Sequence, residues 1–288
     1  MRELQLPPNL KYLGDYVIDG DTLIKELVIP DSVTFLGLGN YKYLKSITFG
    51  TGLEELPYNR NYYYGMGSNN FGACKNLEEV IIKDSEKEFA MWVYVNSQYI
   101  PPFTDCDIKH YYVGRPLGET KLYKHYGNKI YYLCKQGETG HIGLLEIAGG
   151  CKEVPYFYQR IDTLVLGENV SVFDSNNICI DSLKALYCKN RFPTSLVGSH
   201  GGYYYNISNL TYVNLSVYVP KGSLAAYQSA YGWKNFWDIR EYDETTGISA
   251  VKTRPQETGH NYYDLQGRKL REPQKGINII DGKKVLVK

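Results

Sequence analysis

Leu23-Ile24-Lys25-Glu26-Leu27-Val28-Ile29-Pro30, Leu44-Lys45-Ser46-Ile47-Thr48-Phe49-Gly50 and Leu77-Glu78-Glu79-Val80-Ile81-Ile82 repeat one short pattern, an apolar residue, one intervening residue and a second apolar residue after a polar pair. The pattern returns at Leu145-Glu146-Ile147, Leu164-Val165-Leu166, Leu186-Tyr187-Cys188 and Val217-Tyr218-Val219-Pro220, with looser copies at Tyr111-Tyr112-Val113 and Leu4-Gln5-Leu6. Side chains alternate along a strand, so the two apolar residues of each copy share one face and the middle residue points the other way. Nine short strands are predicted. No single copy buries its apolar row alone; stacked copies bury their rows together.

Steps between copies run from 19 residues (Leu145 to Leu164) to 34 (Tyr111 to Leu145). The short ones fall in or near the range of roughly 20 to 29 residues of leucine-rich repeats. The long ones read as repeats with about ten extra residues looped out. A second apolar pair follows several strands at similar offsets, namely Val33 and Leu36, Leu53 and Leu56, Cys151 and Val154, and Val170 and Phe173. These are expected to fill the layer behind the sheet.

Asn70-Phe71-Gly72-Ala73-Cys74-Lys75-Asn76-Leu77, continued by Glu79, Val80 and Ile82, resembles the repeat of the BspA-like bacterial surface-antigen leucine-rich repeats. Only that copy is complete; the one after Val33 carries Gly37-Leu38-Gly39-Asn40-Tyr41 instead. Tyr218-Val219-Pro220-Lys221-Gly222-Ser223-Leu224-Ala225-Ala226-Tyr227, then Gly232-Trp233-Lys234-Asn235-Phe236, is similar to that family's closing unit. The resemblance implies an α/β-poor repeat solenoid over residues 1–242. It would be a right-handed leucine-rich-repeat solenoid, with a parallel β-sheet on the concave face, an irregular convex side and a closing helical cap over about 216–242. In the cap Ser223 is predicted to be the N-cap of a short helix, with Trp233, Phe236 and Ile239 covering the open end of the core.

Composition shifts after residue 242: 243–260 reads as a linker and 261–288 as a small antiparallel β unit, with Gly276–Ile280 and Lys283–Val287 forming a hairpin closed by Asp281-Gly282. Tyr263-Asp264-Leu265-Gln266-Gly267-Arg268 with Lys275-Gly276-Ile277 resembles the tails that sort proteins of anaerobic Gram-negative bacteria to the surface through type IX secretion. That resemblance implies an extracytoplasmic, secreted or cell-surface address; a plain β cap is the competing reading. Met1–Tyr12 shows neither a basic region with an apolar stretch behind it nor a small-residue cleavage site, so no leader is expected within it.

Lys plus Arg number 32 against 31 Asp plus Glu, a net charge of +1, which builds no long-range field toward phosphate backbones or anionic lipid. Nucleic acid is therefore not an expected partner, and with no apolar run near about 18 residues neither is membrane insertion. Cys74, Cys106, Cys134, Cys151, Cys179 and Cys188 form no C-x-x-C pair and are expected to be mostly buried free thiols.

The five histidines show no zinc-type spacing, and no metal or cofactor is expected. Gly198-Ser199-His200-Gly201-Gly202 lacks the G-x-S-x-G order of a nucleophile elbow, and Gly65-Met66-Gly67 lacks a third glycine for phosphate binding. Glu54-Glu55 and Glu78-Glu79 are adjacent pairs that would point to opposite sides of an extended chain, and both read as solvated surface. No catalytic residue is assigned.

What stands out is tyrosine, 29 against 9 Phe and 3 Trp. The outward row of the predicted sheet is Val28, Thr48, Ile81, Tyr112, Glu146, Val165, Tyr187 and Tyr218, with one charge in eight. Two inserted loops share a Tyr/Gly/Ser/Asn vocabulary suited to contact surfaces, Tyr62-Tyr63-Tyr64-Gly65-Met66-Gly67-Ser68-Asn69-Asn70 and Gly201-Gly202-Tyr203-Tyr204-Tyr205-Asn206. Tyr62, Tyr63, Tyr64, Tyr112, Tyr187, Tyr203, Tyr204 and Tyr218 are the candidate binding residues, against the plainer reading that they brace the repeats. The expected function is a non-catalytic surface module for protein interaction or adhesion, with an unknown protein or glycan ligand and no oligomeric state assigned. The alternatives are a glycan-binding accessory of a polysaccharide-uptake system and a hydrolase with its site in the 83–144 insertions.

Overall fold

The computed structural model describes residues 4–18, 22–37, 39, 41–56, 71, 74–95, 98–100, 102–103, 106–119, 140–157, 159–197, 199–200, 203–204 and 207–243, and the strands of the C-terminal tail. The chain divides into two compact units, Met1–Tyr242 and Asp243–Lys288.

The first unit is mostly parallel β-sheet with few helices. Its main sheet has nine strands: β1 (Glu26–Val28), β2 (Ser46–Phe49), β3 (Glu79–Ile82), β4 (Asp107–Val113), β5 (His141–Ile147), β6 (Arg160–Leu166), β7 (Ala185–Cys188), β8 (Ser216–Pro220) and β9 (Asp238–Tyr242). Their order across the sheet is their order in the chain, and every neighbouring pair is parallel. Leu27, Ile47, Val80, Tyr111, Leu145, Leu164, Leu186, Val217 and Ile239 stand opposite one another in a single row. Phe49, Ile82, Val113, Ile147, Leu166 and Cys188 form a second. All of these except Ile239, which is partly buried, lie in the core. Each full burial of such a side chain is worth about 1.5–3 kcal/mol.

A third buried residue precedes seven of the pairs by three positions, as Ile24, Leu44, Leu77, Ile108, Ile142, Ile161 and Leu183 do. That spacing leaves two residues between inward ones, which corrects the reading of Glu78-Glu79 as pointing to opposite sides. Glu78 pairs with Lys45 and Lys109, and Glu79 reaches His110, all across neighbouring strands.

Two other expectations change at the ends. Leu4-Gln5-Leu6 is not a strand; Pro7 and Pro8 follow it, and proline offers no N–H to a ladder. The ninth strand is β9 instead, and on it Ile239 stands opposite Val217, partly buried against the end of the core as expected. Trp233 and Phe236 are buried, with the Trp233 indole N–H donating to the Thr194 carbonyl at 2.7 Å. Helix α1 (Asn209–Asn214) is capped by the Ser208 hydroxyl, but Ser223 makes no side-chain cap for α2 (Leu224–Ser229) and has helical backbone angles itself. Oε1 of Glu241 accepts from the backbone N–H groups of Gly222 and Leu224 in its place.

Behind the sheet, Val33, Leu36, Leu53, Leu56, Cys151, Val154, Val170 and Phe173 are all buried. Short parallel rungs run there too, Tyr12–Leu13 with Phe35–Leu36 and Val172–Asp174 with Ser195–Val197. The insertion after β3 is not merely looped out: Phe89–Val95 pairs with Gln98–Ile100 and with Leu117–Glu119. Among the worn copies, Tyr41 takes the place of Cys74 and keeps its turn, since Leu44 N–H bonds to Tyr41 as Leu77 N–H bonds to Cys74. The Cys74 thiol donates to the Tyr41 carbonyl and the Cys106 thiol to that of Cys74. Burial pushes the thiols of Cys74, Cys151 and Cys188 up to about 12. Cys179 is partly exposed, and Cys134 lies outside the described residues.

Successive segments approach so closely that some positions after strands admit only glycine. A Cβ on Gly50 would sit 2.5 Å from the Pro30 carbonyl oxygen, and one on Gly114 would sit 2.6 Å from that of Ile82.

Arg115 is wholly buried and bolts three segments together. Its guanidinium donates to the carbonyls of Thr51 and Gly50, both at 3.2 Å, and lies 4.3 Å over the Phe89 ring. Desolvation lowers it to about 10, against the pull of Asp31 and Glu54.

The second unit is a four-stranded antiparallel sheet in the order Lys269–Leu270, Tyr262–Tyr263, Gly276–Ile280, Lys283–Val287.

Arg115→Lys keeps the charge but loses the planar fork and most of the ring contact. It should cost about 3 kcal/mol in urea unfolding, and Arg115→Met, which removes the buried charge as well, should cost less.

Candidate interaction face

The solvent side of the sheet carries the row named from sequence. Val28, Thr48, Ile81, Tyr112, Glu146, Val165, Tyr187 and Tyr218 stand in unbroken register, and Arg240 follows on β9. The row is not uniformly open. Val165 is fully buried, between Glu146 on one side and Tyr187 on the other. Lys189 reaches Glu146 at 3.7 Å from the far side of β6, so an ion pair spans the strand that holds Val165.

Tyr187 and Tyr218 stack, with ring centroids 4.4 Å apart and planes 10° from parallel, and Tyr242 meets Tyr187 at 78°. Such ring pairs contribute about 0.5–1.5 kcal/mol beyond their buried area. Tyr112 stands three strands away from Tyr187, roughly 14 Å at the usual strand spacing. Its hydroxyl donates to Oδ1 of Asp84 at 2.7 Å, and desolvation, the largest influence, with that acceptor pushes it up. Tyr203–Tyr204 form a short antiparallel pair with Ser199–His200. Tyr62, Tyr63 and Tyr64 lie outside the described residues.

Sequence reasoning about a binding row missed the charged groups flanking it. Nδ1 of His110 lies 3.3 Å from Oε1 of Glu79 and Nε2 lies 3.2 Å from Oε1 of Glu146. Nδ1 of His141 lies 2.8 Å from Oδ1 of Asp107 and Nε2 lies 3.3 Å from Oδ1 of Asp162, whose other oxygen meets Lys184 at 2.9 Å. The hydrogen bond to Glu146 is the main influence holding His110 above its ordinary value, with Glu79 adding to it. Desolvation pulls His141 down, but its bonds to Asp107 and Asp162 outweigh that and raise it. Glu146 is held low chiefly by the His110 bond. Asp162 is also held low, because Lys184 and His141 outweigh its desolvation. The signal was available: in the outward row one step before the tyrosine row, Glu79 stands directly opposite His110.

Among the described residues no three His, Cys, Asp or Glu side chains are grouped to hold a metal ion, and no helix is long and apolar enough to cross a membrane. A narrow cavity is lined by Met91, Pro102, Tyr111, Leu117, Tyr156, Phe157 and Gln159. Glu55, read as solvated, has Oε2 buried, and its backbone bridges to Ala90. Compared with known proteins, the chain matches no family model and no curated protein.

A double-mutant cycle over Tyr187→Ala and Tyr218→Ala, read by chemical denaturation, should give a coupling of about 1 kcal/mol. Additive losses would mean that the two rings stand side by side without holding each other.

Proposed function

We propose that residues 1–242 form a right-handed leucine-rich-repeat solenoid of the BspA-like surface-antigen type, with the nine-stranded sheet as its concave face. On this reading the chain is an extracytoplasmic, non-catalytic module that binds another protein through that face. The observation that carries it is the Tyr187–Tyr218 stack with Tyr242 beside it, a rigid aromatic cluster on the solvent side of an otherwise ion-paired sheet. Tyrosine at such a site offers large contact area at low entropy cost and a hydroxyl for hydrogen bonding.

The same stack favours a protein partner over a glycan. Sugar rings bind aromatic side chains through an open ring face, whereas Tyr187 and Tyr218 each turn one face to the other, and Tyr242 engages Tyr187 again. The Tyr242 hydroxyl is itself taken up by the Cys188 carbonyl, so the cluster offers a partner ring edges and the hydroxyl of Tyr218. The balanced charge, +1 overall, suits a contact set by shape and hydrogen bonds rather than by long-range attraction. The surface address rests on the tail's likeness to sorting tails.

The test is capture of the purified chain on panels of extracellular matrix proteins and on a glycan array, with Tyr218→Phe as the variant. The variant keeps the stack and its melting temperature but should lose about tenfold in affinity for the captured protein, the worth of one interface hydrogen bond. Binding confined to glycans, or protein capture indifferent to the Tyr218 hydroxyl, would overturn the proposal.

A further inference from the structure

The two histidines on the solvent side of the sheet are each caught between carboxylates of the strands on either side. His110 on β4 lies between Glu79 on β3 and Glu146 on β5; His141 on β5 lies between Asp107 on β4 and Asp162 on β6. In all four contacts a ring nitrogen is within 3.3 Å of a carboxylate oxygen. A neutral imidazole has one N–H and one bare lone pair. Whichever tautomer it took, each ring would aim a lone pair at one of its two carboxylates. Only the imidazolium, a donor at both nitrogens, satisfies both neighbours together.

We infer that His110 and His141 form a proton-operated clasp across β3, β4, β5 and β6, closed while both rings are protonated and loosened when they lose their protons. The inference does not depend on what the face binds. The other groups facing the clasp fit it. Lys189 and Lys184 meet the second oxygens of Glu146 and Asp162, so neither carboxylate depends on histidine alone. On β4 itself, Lys109 is taken up by Glu78, and the Tyr112 hydroxyl by Asp84. With Lys45, Lys109, Lys184, Lys189 and Arg160, which stands opposite His141 on β6, set against Glu78, Glu79, Asp84, Asp107, Glu146 and Asp162, the group carries a net charge of +1 with both histidines charged and −1 with both neutral. The exposed face therefore changes the sign of its local charge as the clasp opens.

The direction with pH follows from the shifts. Both histidines are raised above 6.5, so the stability they add is fully present below 6.5 and is lost as pH rises through their folded values. Glu146 and Asp162 are lowered, so their share is present above the ordinary carboxylate values and is lost as pH falls through the lowered ones. The clasp is strongest in mildly acidic solution. His110, 26% exposed against 39% for His141, is the better shielded and should keep its share at high salt.

The experiment is an NMR titration of the imidazole ring protons in the full chain, wild type and Glu146→Gln. Wild-type His110 and His141 should both titrate above 6.5, and Glu146→Gln should lower the His110 midpoint while leaving that of His141 in place. Glu79→Gln serves as a second variant should the first fold poorly, with the same fall expected for His110. In urea, the wild-type unfolding midpoint should drop as pH rises past about 6.5, and His110→Gln should flatten that drop. A wild-type midpoint at or below 6.5 for His110, or one that neither carboxamide variant moves, would overturn the clasp.

Discussion

The constraint on which the first unit depends is lateral sharing of apolar rows. A strand of three to seven residues with two or three inward side chains cannot bury them by itself, because a lone extended segment leaves both edges and most of each side chain in water. Leu145 is buried because Tyr111 stands on one side of it and Leu164 on the other. The same holds along the rows from Leu27 to Val217. Register is thereby fixed, since a slip by one residue would turn Leu145 and Ile147 out to solvent and bring Glu146 into the core. The glycines at 50 and 114 and the buried Arg115 serve the same end, allowing or tying the close approach of successive segments.

Sharing also decides what the outer face can be. Once inward residues are set by the rows, every residue between them is set on the solvent side in register too, so side chains far apart in sequence become neighbours at strand spacing. His110 and Glu146 are 36 residues apart in the chain and 3.2 Å apart in space. Tyr187 and Tyr218 become a stacked pair by the same rule. Cross-strand neighbours of this kind are the unit by which a sheet gains side-chain stability. Here they divide into an aromatic cluster near β7 to β9 and a charged lattice centred on β4 and β5.

Much of this was legible in the sequence, because spacing alone marks inward residues. The eight strands from β1 to β8, the inward rows, the buried cysteines and the alignment of the tyrosine row all follow from the repeated apolar pair. What was not legible depended on partners beyond the pattern. Leu4-Gln5-Leu6 has the spacing of a strand, but Pro7 and Pro8 deny it a ladder, while Asp238–Tyr242, with only Ile239 to mark it, gains strand form from its neighbour β8. Ser223 has the chemistry of an N-cap, yet the Glu241 carboxylate, brought close by the β8–β9 pairing, takes the N–H groups of Leu224 in the helix and Gly222 before it. Val165 occupies an outward position and is nevertheless buried, because Lys189 and Glu146 meet across its strand. His110 and His141 offer the sequence only a metal-ligand reading, since the carboxylate partners of each ring come from the two strands that flank it.

The most direct test of shared rows is hydrogen–deuterium exchange on Leu145→Ala. Truncating this residue removes contacts from both flanking strands, at a cost of about 2–5 kcal/mol in a packed core. Lateral sharing predicts that amide protection in Tyr111–Val113 and Leu164–Leu166 falls together with that of β5, and that the loss fades toward β1 and β9. Protection lost in β5 alone, with both neighbours unchanged, would contradict the account.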